Sequence, residues 1–212
     1  MPLAEPTTVY IVDDDAMFAR GLARLVDAAG WNARVFRGAD VFLGAIGADD
    51  QGCVLLDVRM PGMKGPELQR ALVERGIGLP VIFLTGHGDV KTSVEAMKLG
   101  AVDFIEKPVG RERLVAAITQ ALALGERERE ARHERDAMRE RLASLSRREL
   151  EVMSHVIAGR LNKQIAADLR ISLKTVKAHR ANVMRKTGAA SVPDLVAMCR
   201  LAGVAPHASP AS

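Results

Sequence analysis

The first 120 residues alternate between short apolar runs and longer stretches in which apolar residues recur every three or four positions. Gly, Pro or Asp bounds each run, which is typical of buried strands, while the longer stretches have the period of amphipathic helices. The predicted strands are Val9–Val12, Arg34–Phe36, Cys53–Leu56, Val81–Leu84 and Val102–Ile105. The predicted helices lie near Ala16–Ala29, Ala39–Ile46, Pro66–Glu74, Val90–Leu99 and Arg111–Leu124. This alternation predicts a parallel, doubly wound α/β sheet of five strands.

From residue 144 the pattern is entirely helical and its segments are short. Ser146 and Glu149 have the spacing of a capping box before the first of these helices, which Gly159 ends. The other three are predicted from about Lys163 to Leu169, from the cap Ser172 to about Thr187, and from Pro193 to about Leu201. Such a pattern predicts a small all-α domain.

Residues 125–143 are almost all charged and hold Glu–Arg pairs at helical spacing, such as Glu128 with Arg132. We interpret the segment as a solvated helical linker that continues the preceding helix, with a disordered charged linker as the alternative. A coiled coil is disfavoured because sustained apolar positions are missing. The predicted domains are therefore 1–124, a linker at 125–143, a helical domain at 144–205 and a loose tail at 206–212.

Charge is distributed unevenly along the chain. The net charge of +4 is made of −3 over residues 1–125, zero over 126–143 and +7 over 144–212. The basic rear domain predicts an anionic partner. Aromatic residues make up only 3% of the chain, which disfavours the stacking of single-stranded bases on rings.

The cysteine count and the hydropathy pattern exclude several classes of protein. Cys53 and Cys199 lie one in each half, so neither a disulfide framework nor a cysteine-rich zinc site is available. No stretch approaches 18 consecutive apolar residues, and the first residues do not have the pattern of a secretory signal. We therefore expect a soluble cytoplasmic protein without a membrane partner.

Polar residues follow four of the predicted strands. Asp13 and Asp14 come after the first, Asp57 after the third, Thr85 after the fourth and Lys107 after the fifth. The carboxyl ends of parallel strands meet at one edge, and clustered carboxylates there are the usual ligands of a hard cation such as Mg²⁺. This set predicts phosphoryl transfer to Asp57, with the metal and Lys107 neutralising the phosphoryl oxygens.

Two alternatives accompany this interpretation. An aspartate after a strand is often only a turn or helix cap, and for Asp57 taken singly that reading is preferred. An aspartyl-phosphate phosphatase would use the same nucleophile and metal, but it typically needs a second acid two residues after the nucleophile. Arg59 stands at that position, which disfavours the enzyme.

The front domain resembles the receiver domain of two-component response regulators over residues 8–122. The matching segments are 12–15 (Val-Asp-Asp-Asp), 55–62 (Leu-Leu-Asp-Val-Arg-Met-Pro-Gly), 85–89 (Thr-Gly-His-Gly-Asp) and 101–108 (Ala-Val-Asp-Phe-Ile-Glu-Lys-Pro). The resemblance implies a flavodoxin-like fold and a sensor histidine kinase that phosphorylates Asp57. It implies that Mg²⁺ is held by Asp13, Asp14, Asp57 and the main-chain carbonyl of Arg59. The residues that would contact or move with the phosphoryl group are Thr85, Phe104 and Lys107.

The third rear helix has two unlike sides when residues 174–185 are placed at about 100° per residue. Val176 and Val183 lie on one side, with His179 beside them. The opposite side carries small and cationic residues, namely Lys174, Lys177, Ala178, Ala181 and Arg185. Such a side can enter the major groove of DNA, where a Lys can donate to guanine and an Ala can touch a thymine methyl group. A merely solvated basic side is the alternative, but the preceding helix, the tight turn at 170–172 and the net charge favour helix-turn-helix DNA binding.

Residues 144–202 resemble the LuxR/NarL-type helix-turn-helix domain. The matching segments are 145–152 (Leu-Ser-Arg-Arg-Glu-Leu-Glu-Val), 162–166 (Asn-Lys-Gln-Ile-Ala) and 171–179 (Ile-Ser-Leu-Lys-Thr-Val-Lys-Ala-His). Residues 180–184 and 85–89 are similar to those of the FixJ subgroup of response regulators. The resemblance implies that Lys177 and Ala178 face bases. It implies that phosphate-facing or flanking positions are held by Asn162, Lys163, Thr175, His179 and Arg180.

The combined expectation is a phosphorylation-activated transcriptional response regulator. Its partners would be a sensor histidine kinase, double-stranded promoter DNA and a second copy of the chain after phosphorylation, with RNA polymerase as a candidate. We expect no enzyme activity beyond self-phosphorylation from a donor and self-dephosphorylation at Asp57. A signalling protein whose rear helices bind protein or RNA is the remaining alternative.

Overall fold

The five apolar runs form one parallel sheet in the computed structural model, which describes residues 7–86 and 100–204. The strands are β1 (Thr8–Val12), β2 (Asn32–Phe36), β3 (Cys53–Asp57), β4 (Val81–Thr85) and β5 (Asp103–Glu106). Their order is β2-β1-β3-β4-β5, and each neighbouring pair is parallel. In this flavodoxin-like order, the ligand crevice lies at the carboxyl ends of β1 and β3, where the winding reverses. The predicted fold class is confirmed.

Helices cover both faces of the sheet because successive strand residues point to opposite sides. The described helices of this part are α1 (Ala16–Ala28), α2 (Ala39–Ala45), α3 (Gly65–Glu74) and α4 (Arg111–Ala143). Ile11 and Leu55 pack with apolar residues of α1 and α4, whereas Val12 and Leu56 pack with those of α2 and α3. The helix predicted near Val90–Leu99 lies outside the described residues, as do His87, Gly88 and Asp89.

Several element ends differ from the predictions by one or two residues. Strand β2 begins at Asn32 instead of Arg34. Its first two residues pair with β1, but three of its five side chains are exposed, so the apolar pattern does not show the full strand. Strand β5 begins at Asp103 instead of Val102. Helix α3 includes Gly65, one residue before the predicted start at Pro66. Backbone hydrogen bonds determine where these elements begin, and the pattern of apolar residues does not predict those bonds.

Helix α4 runs without interruption over 33 residues, so the charged segment 125–143 is helical as predicted and the disordered alternative is wrong. The chain divides into two compact units, 1–129 and 130–212. The boundary between the two units falls inside α4. The predicted domain limits at 124, 143 and 205 remain predictions. Every helix within residues 7–86 and 100–204 is too short or too polar to cross a membrane. The predicted tail at 206–212 lies outside the described residues.

After α4, the described residues of the second unit form four short helices around one core. They are α5 (Arg147–Ile157), α6 (Asn162–Asp168), α7 (Leu173–Thr187) and α8 (Val192–Leu201). The predicted caps are present: Ser146 and Glu149 form the capping box of α5, and the Ser172 side chain accepts from the Thr175 N–H at the start of α7. Gly188 ends α7 with φ at 75°, a conformation that favours glycine. The core residues come from every one of these helices, for example Val152, Ile165, Val183 and Leu195.

Glu149 makes a contact that the capping box alone does not predict. Its Oε2 accepts from the Ser146 N–H at 2.8 Å and from the Lys186 ammonium at 2.7 Å. The hydrogen bond from Lys186 is the main reason that the pKa of Glu149 falls to about 2. A carboxyl with a depressed pKa stabilises the fold above its unfolded pKa, and this stabilisation is lost as pH falls toward 2.

We therefore expect Glu149→Gln to lower the stability of the second unit at neutral pH and to flatten its pH dependence below about pH 4.5. Urea unfolding followed by far-UV circular dichroism at several pH values measures this. Trp31, the single tryptophan, lies in the first unit, so its fluorescence separates the two transitions. Glu151→Gln is the control, because Glu151 pairs with the partly exposed Arg148. If Glu149→Gln and Glu151→Gln changed the stability and its pH dependence equally, the stabilising role of the Glu149–Lys186 contact would be contradicted.

Candidate functional site

Two buried carboxylates meet at the carboxyl ends of β1 and β3. Val12 pairs with Leu56 in the sheet, so Asp13 and Asp57, the residues that follow them in the chain, become neighbours. Asp13 is 1% exposed and Asp57 is 6% exposed. The Lys107 ammonium lies 2.7 Å from Asp13 Oδ2 and 2.7 Å from Asp57 Oδ1. One cation therefore joins the two predicted acids.

Burial and the ion pairs shift the pKa values of Asp57 and Lys107 in opposite directions. Burial raises the pKa of the Asp57 carboxyl, with the hydrogen bond from Lys107 as the largest opposing influence. Burial lowers the pKa of the Lys107 ammonium, but its hydrogen bonds to Asp13 and Asp57 outweigh this and leave the pKa raised. Lys107 therefore keeps its positive charge at neutral pH, next to the oxygen atoms that would receive a phosphoryl group.

Backbone groups fix the two carboxylates. The Arg59 N–H donates to Asp57 Oδ2 at 2.8 Å, and the Asp15 N–H donates to Asp13 Oδ1 at 2.9 Å. Gly65 at the start of α3 lies directly behind the site, because a Cβ there would be 2.6 Å from the Asp57 carbonyl oxygen. The apolar pattern did not identify Gly65, although a glycine just before Pro66 is the available clue.

Thr85 and Phe104 lie on the neighbouring strands β4 and β5. Thr85 is the last residue of β4 and is 4% exposed, and its carbonyl accepts from the Lys107 N–H at 2.7 Å. Phe104 on β5 is half-buried, with its ring 5.8 Å from that of Phe83. The structure thus brings Thr85 and Lys107 to the same strand end, while the movement of Thr85 and Phe104 stays a prediction.

The predicted metal ligands are only partly assembled. Within residues 7–86 and 100–204, no three His, Cys, Asp or Glu side chains are grouped so as to hold a metal ion. Asp13 and Asp57 converge on Lys107, whereas Asp14 is exposed at the end of β1. The Arg59 peptide lies beside Asp57 through its N–H. Oxygen donors with negative charge, two of them already converging on a cation, fit Mg²⁺ in chemical type.

Asp15 and Phe18 adjoin this site in ways that the sequence did not predict: Asp15 was expected only as one of the acids that follow the first strand, and Phe18 had no predicted role. Asp15 caps α1, its side chain accepting from the Met17 N–H at 2.9 Å and the Phe18 N–H at 3.1 Å. The ring of Phe18 lies beneath the Lys107 ammonium, with 4.1 Å between Nζ and the ring centroid. An aspartate before a predicted helix could have indicated the cap, but nothing in the sequence pattern connects Phe18 with Lys107.

In the second unit, α7 has the two predicted sides. Val176 and Val183 are buried in the core, and His179 beside them is half-buried. The opposite side is exposed and consists of Lys174, Lys177, Ala178, Ala181 and Arg185. We call this set the basic face. Its two alanines leave room for close approach by a partner surface.

The flanking residues differ in how free they are to meet a partner. Lys163 on α6 is exposed, whereas Asn162 is half-buried and its Oδ1 accepts from Arg180 Nη1 at 2.9 Å. The Thr175 hydroxyl lies 2.7 Å from the Ser172 hydroxyl within the cap of α7. Asn162, Arg180 and Thr175 therefore each have a structural partner, and their predicted contacts with DNA would be additional to these bonds.

Family models match both parts of the chain. A model described as the response regulator receiver domain matches residues 9–119, and one described as bacterial regulatory proteins of the luxR family matches residues 143–199. The chain belongs to the response regulators that join a receiver domain to a LuxR-type DNA-binding domain.

Individual relatives match almost the whole chain. The transcriptional regulatory protein FixJ of Azorhizobium caulinodans is 44% identical over 204 residues, covering 96% of this chain and 97% of that protein. The response regulator protein TodT of Pseudomonas putida is 44% identical, covering 90% and 84%. Among solved structures, the response regulator StyR is 41% identical with a TM-score of 0.81, covering 92% of this chain and 98% of that one. These relatives support the receiver, the LuxR-type domain and transcriptional regulation, and they give no support to the phosphatase alternative.

Proposed function

We propose that this protein is a transcriptional regulator switched by phosphorylation of Asp57. A sensor histidine kinase supplies the phosphoryl group, and the LuxR-type domain binds promoter DNA. The observation that carries this proposal is the Lys107 ammonium held between Asp13 and Asp57, at the carboxyl ends of the strands where this fold class binds ligands.

In the chemical step, a carboxylate oxygen of Asp57 attacks the phosphorus of a phosphohistidine. The new O–P bond forms an acyl phosphate, while the P–N bond breaks and its electron pair leaves with the imidazole nitrogen. Lys107 stabilises the negative charge on the transferred oxygens, because its charge already lies 2.7 Å from Asp57 Oδ1. Thr85, the last residue of β4, contacts the phosphoryl group once it is bound to Asp57. Hydrolysis of the acyl phosphate resets the protein.

Mg²⁺ is the cofactor that we propose for this step, held by Asp13, Asp14, Asp57 and the Arg59 main-chain carbonyl. When bound, it neutralises charge on the phosphoryl oxygens. The anionic oxygen set around Asp57 supports the assignment, and the exposed position of Asp14 leaves its carboxylate accessible from solvent. Asp13 keeps a second role, because it also holds Lys107 at the site.

Phosphorylation would be transmitted through Thr85 and Phe104. Thr85 lies next to Lys107, and Phe104 packs against the core near Phe83 on the neighbouring strand. We propose that a rearrangement of both changes the surface formed by residues 90–106, which then pairs two receivers. Of this surface, residues 90–99 lie outside the described part of the chain. Two states with different surfaces are what a switch of this type requires.

The protein should therefore change from monomer to dimer when beryllofluoride and Mg²⁺ are added. Sedimentation equilibrium over a concentration series measures the mass in both states. Asp57→Asn is the control and should stay monomeric under both conditions. If the mass of the unsubstituted protein does not change, the proposal of dimerisation on phosphorylation is wrong. A mass equal to two chains before treatment would indicate a constitutive dimer instead.

For DNA binding, we propose that Lys177 and Ala178 read bases from the basic face of α7. Lys174 lies on the same face, and the phosphate-facing or flanking positions are Asn162, Lys163, Thr175, His179 and Arg180. The exposure of the three cations and two alanines of the basic face supports this placement. RNA polymerase would be the further partner at the promoter, and the cytoplasm is the compartment that this function requires.

The alternative that the second unit binds RNA predicts a different competition result. The small residues on the basic face suit a B-form major groove, which admits a helix, whereas the deep and narrow major groove of A-form RNA does not. An excess of double-stranded RNA should leave the DNA complex intact in a gel-shift experiment. Displacement at equal concentrations would favour the RNA-binding alternative.

A further inference from the structure

The Lys107 ammonium has a neighbour that is neither a carboxylate nor a phosphoryl contact. The ring of Phe18 lies 4.1 Å from Lys107 Nζ, on the face of the ring. Lys107 Nζ also lies 2.7 Å from an oxygen of each of the carboxylates Asp13 and Asp57. The cation at the centre of the site is therefore held by two acids and one aromatic ring.

The ring is itself held firmly in place. Phe18 lies in the first turn of α1, where its N–H donates to the Asp15 side chain at 3.1 Å. The side chain is half-buried and packs against the core cluster that contains Val9 and Leu22. Met17, the preceding residue, is by contrast 82% exposed. The position of Phe18 thus depends on the same strand end and helix start that position Asp13.

An aromatic ring suits this position for an electrostatic reason. The negative face of the ring attracts an ammonium group, and the attraction is stronger where water is excluded. Unlike a third carboxylate, the ring has no formal charge, so it holds Lys107 without repelling an incoming phosphoryl group. Lys107 has a long flexible side chain, and fixing its ammonium in advance lowers the cost of orienting it during the reaction.

We propose that Phe18 is a positioning residue for phosphoryl acceptance, acting through the cation–π contact between its ring and the Lys107 ammonium. This proposal rests on the proposed function of Asp57. It extends the site to a residue of α1. Phe18 contributes the aromatic face of its ring in addition to the volume that its side chain fills.

The first measurement is made on the protein without phosphodonor or metal. Protons held over the face of an aromatic ring are shifted upfield, so the ε-methylene protons of Lys107 should be shifted in the NMR spectrum of protein with ¹³C-labelled lysine. Phe18→Leu should remove the shift, and Phe18→Tyr should keep it. Unshifted Lys107 protons in the unsubstituted protein would overturn the proposal without any variant being needed.

The second measurement is the second-order rate constant for phosphorylation by acetyl phosphate, followed by intact-protein mass spectrometry. Phe18→Leu should lower it roughly three- to tenfold, in line with the strength of partly desolvated cation–π contacts. Phe18→Tyr should restore most of the rate, and Met17→Leu, the control on the same helical turn, should leave it unchanged. A Phe18→Leu variant that reacts as fast as the unsubstituted protein would overturn the proposal.

A double-substitution cycle distinguishes action through Lys107 from simple packing. In a Lys107→Gln background the cation is gone, so Phe18→Leu should cause no further loss. The same fold loss in both backgrounds would show that the ring acts by packing alone and would overturn the proposal. A different result would separate the two proposals. If Asp57→Asn is labelled to the same extent as the unsubstituted protein while the Lys107 protons keep their upfield shift, the proposed function is wrong although the cation–π contact exists.

Discussion

Asp57→Asn should abolish phosphorylation by acetyl phosphate in the presence of Mg²⁺. The amide retains the shape of the carboxyl group, but it lacks the anionic oxygen that attacks phosphorus. Asp57 is the last residue of β3, is buried, and has an oxygen 2.7 Å from the Lys107 ammonium. Of the strand-end acids, it is the one that we assign as nucleophile. We expect one phosphoryl group per chain in the unsubstituted protein and none in the variant.

Intact-protein mass spectrometry measures this directly, and peptide mapping locates the modified residue. Asp50→Asn is a suitable control, because Asp50 lies in the same unit but comes before the amino end of β3, where it accepts a hydrogen bond from the Tyr10 hydroxyl. It should be labelled as the unsubstituted protein is. Equal labelling of Asp57→Asn, or a modified peptide that lacks residue 57, would contradict the assignment.

Lys177→Ala should weaken binding to the specific DNA site by about 1–3 kcal/mol, while affinity for scrambled DNA falls much less. Lys177 is exposed at the centre of the basic face, next to Ala178. A lysine that donates to a base edge contributes only at the correct sequence. A lysine that meets a phosphate contributes equally to every sequence. The comparison of two duplexes therefore distinguishes the two roles.

Lys163→Ala is the matched comparison, because it removes the same charge from an exposed residue on the preceding helix. It should weaken both duplexes similarly and reduce the slope of log affinity against log salt by about one. Both variants are measured on a duplex that the unsubstituted protein itself selects from a random pool, and on a scrambled version. If Lys177→Ala weakens both duplexes equally, Lys177 contacts phosphate and our assignment of the base-reading residues is wrong.

The sequence predicted the elements wherever local chemistry determines them. The strands of the central sheet appear as apolar runs, since both of their faces are buried. Ser146, Ser172 and Gly188 marked helix ends because capping depends on a side chain or a backbone conformation within a few residues. Edge strand β2 was predicted too short, because its exposed side chains give no apolar pattern.

The contents of the site were predictable, but its contacts were not. Parallel strand ends place Asp13, Asp57, Thr85 and Lys107 together whatever their side chains do. That Lys107 Nζ contacts both carboxylates depends on rotamers and burial, which a linear pattern does not record. The same holds for the ring of Phe18 beneath Lys107 and for the bond between Asn162 and Arg180, because each joins residues distant in sequence.

The affinity for the selected duplex, measured with and without beryllofluoride and Mg²⁺, tests the central claim most directly. Phosphoryl mimicry at Asp57 should raise the affinity of the unsubstituted protein by at least about tenfold, since two linked DNA-binding domains then act on one site. Asp57→Asn should bind with the same low affinity under both conditions. A rise of equal size in Asp57→Asn, or none in the unsubstituted protein, would contradict a switch controlled by Asp57.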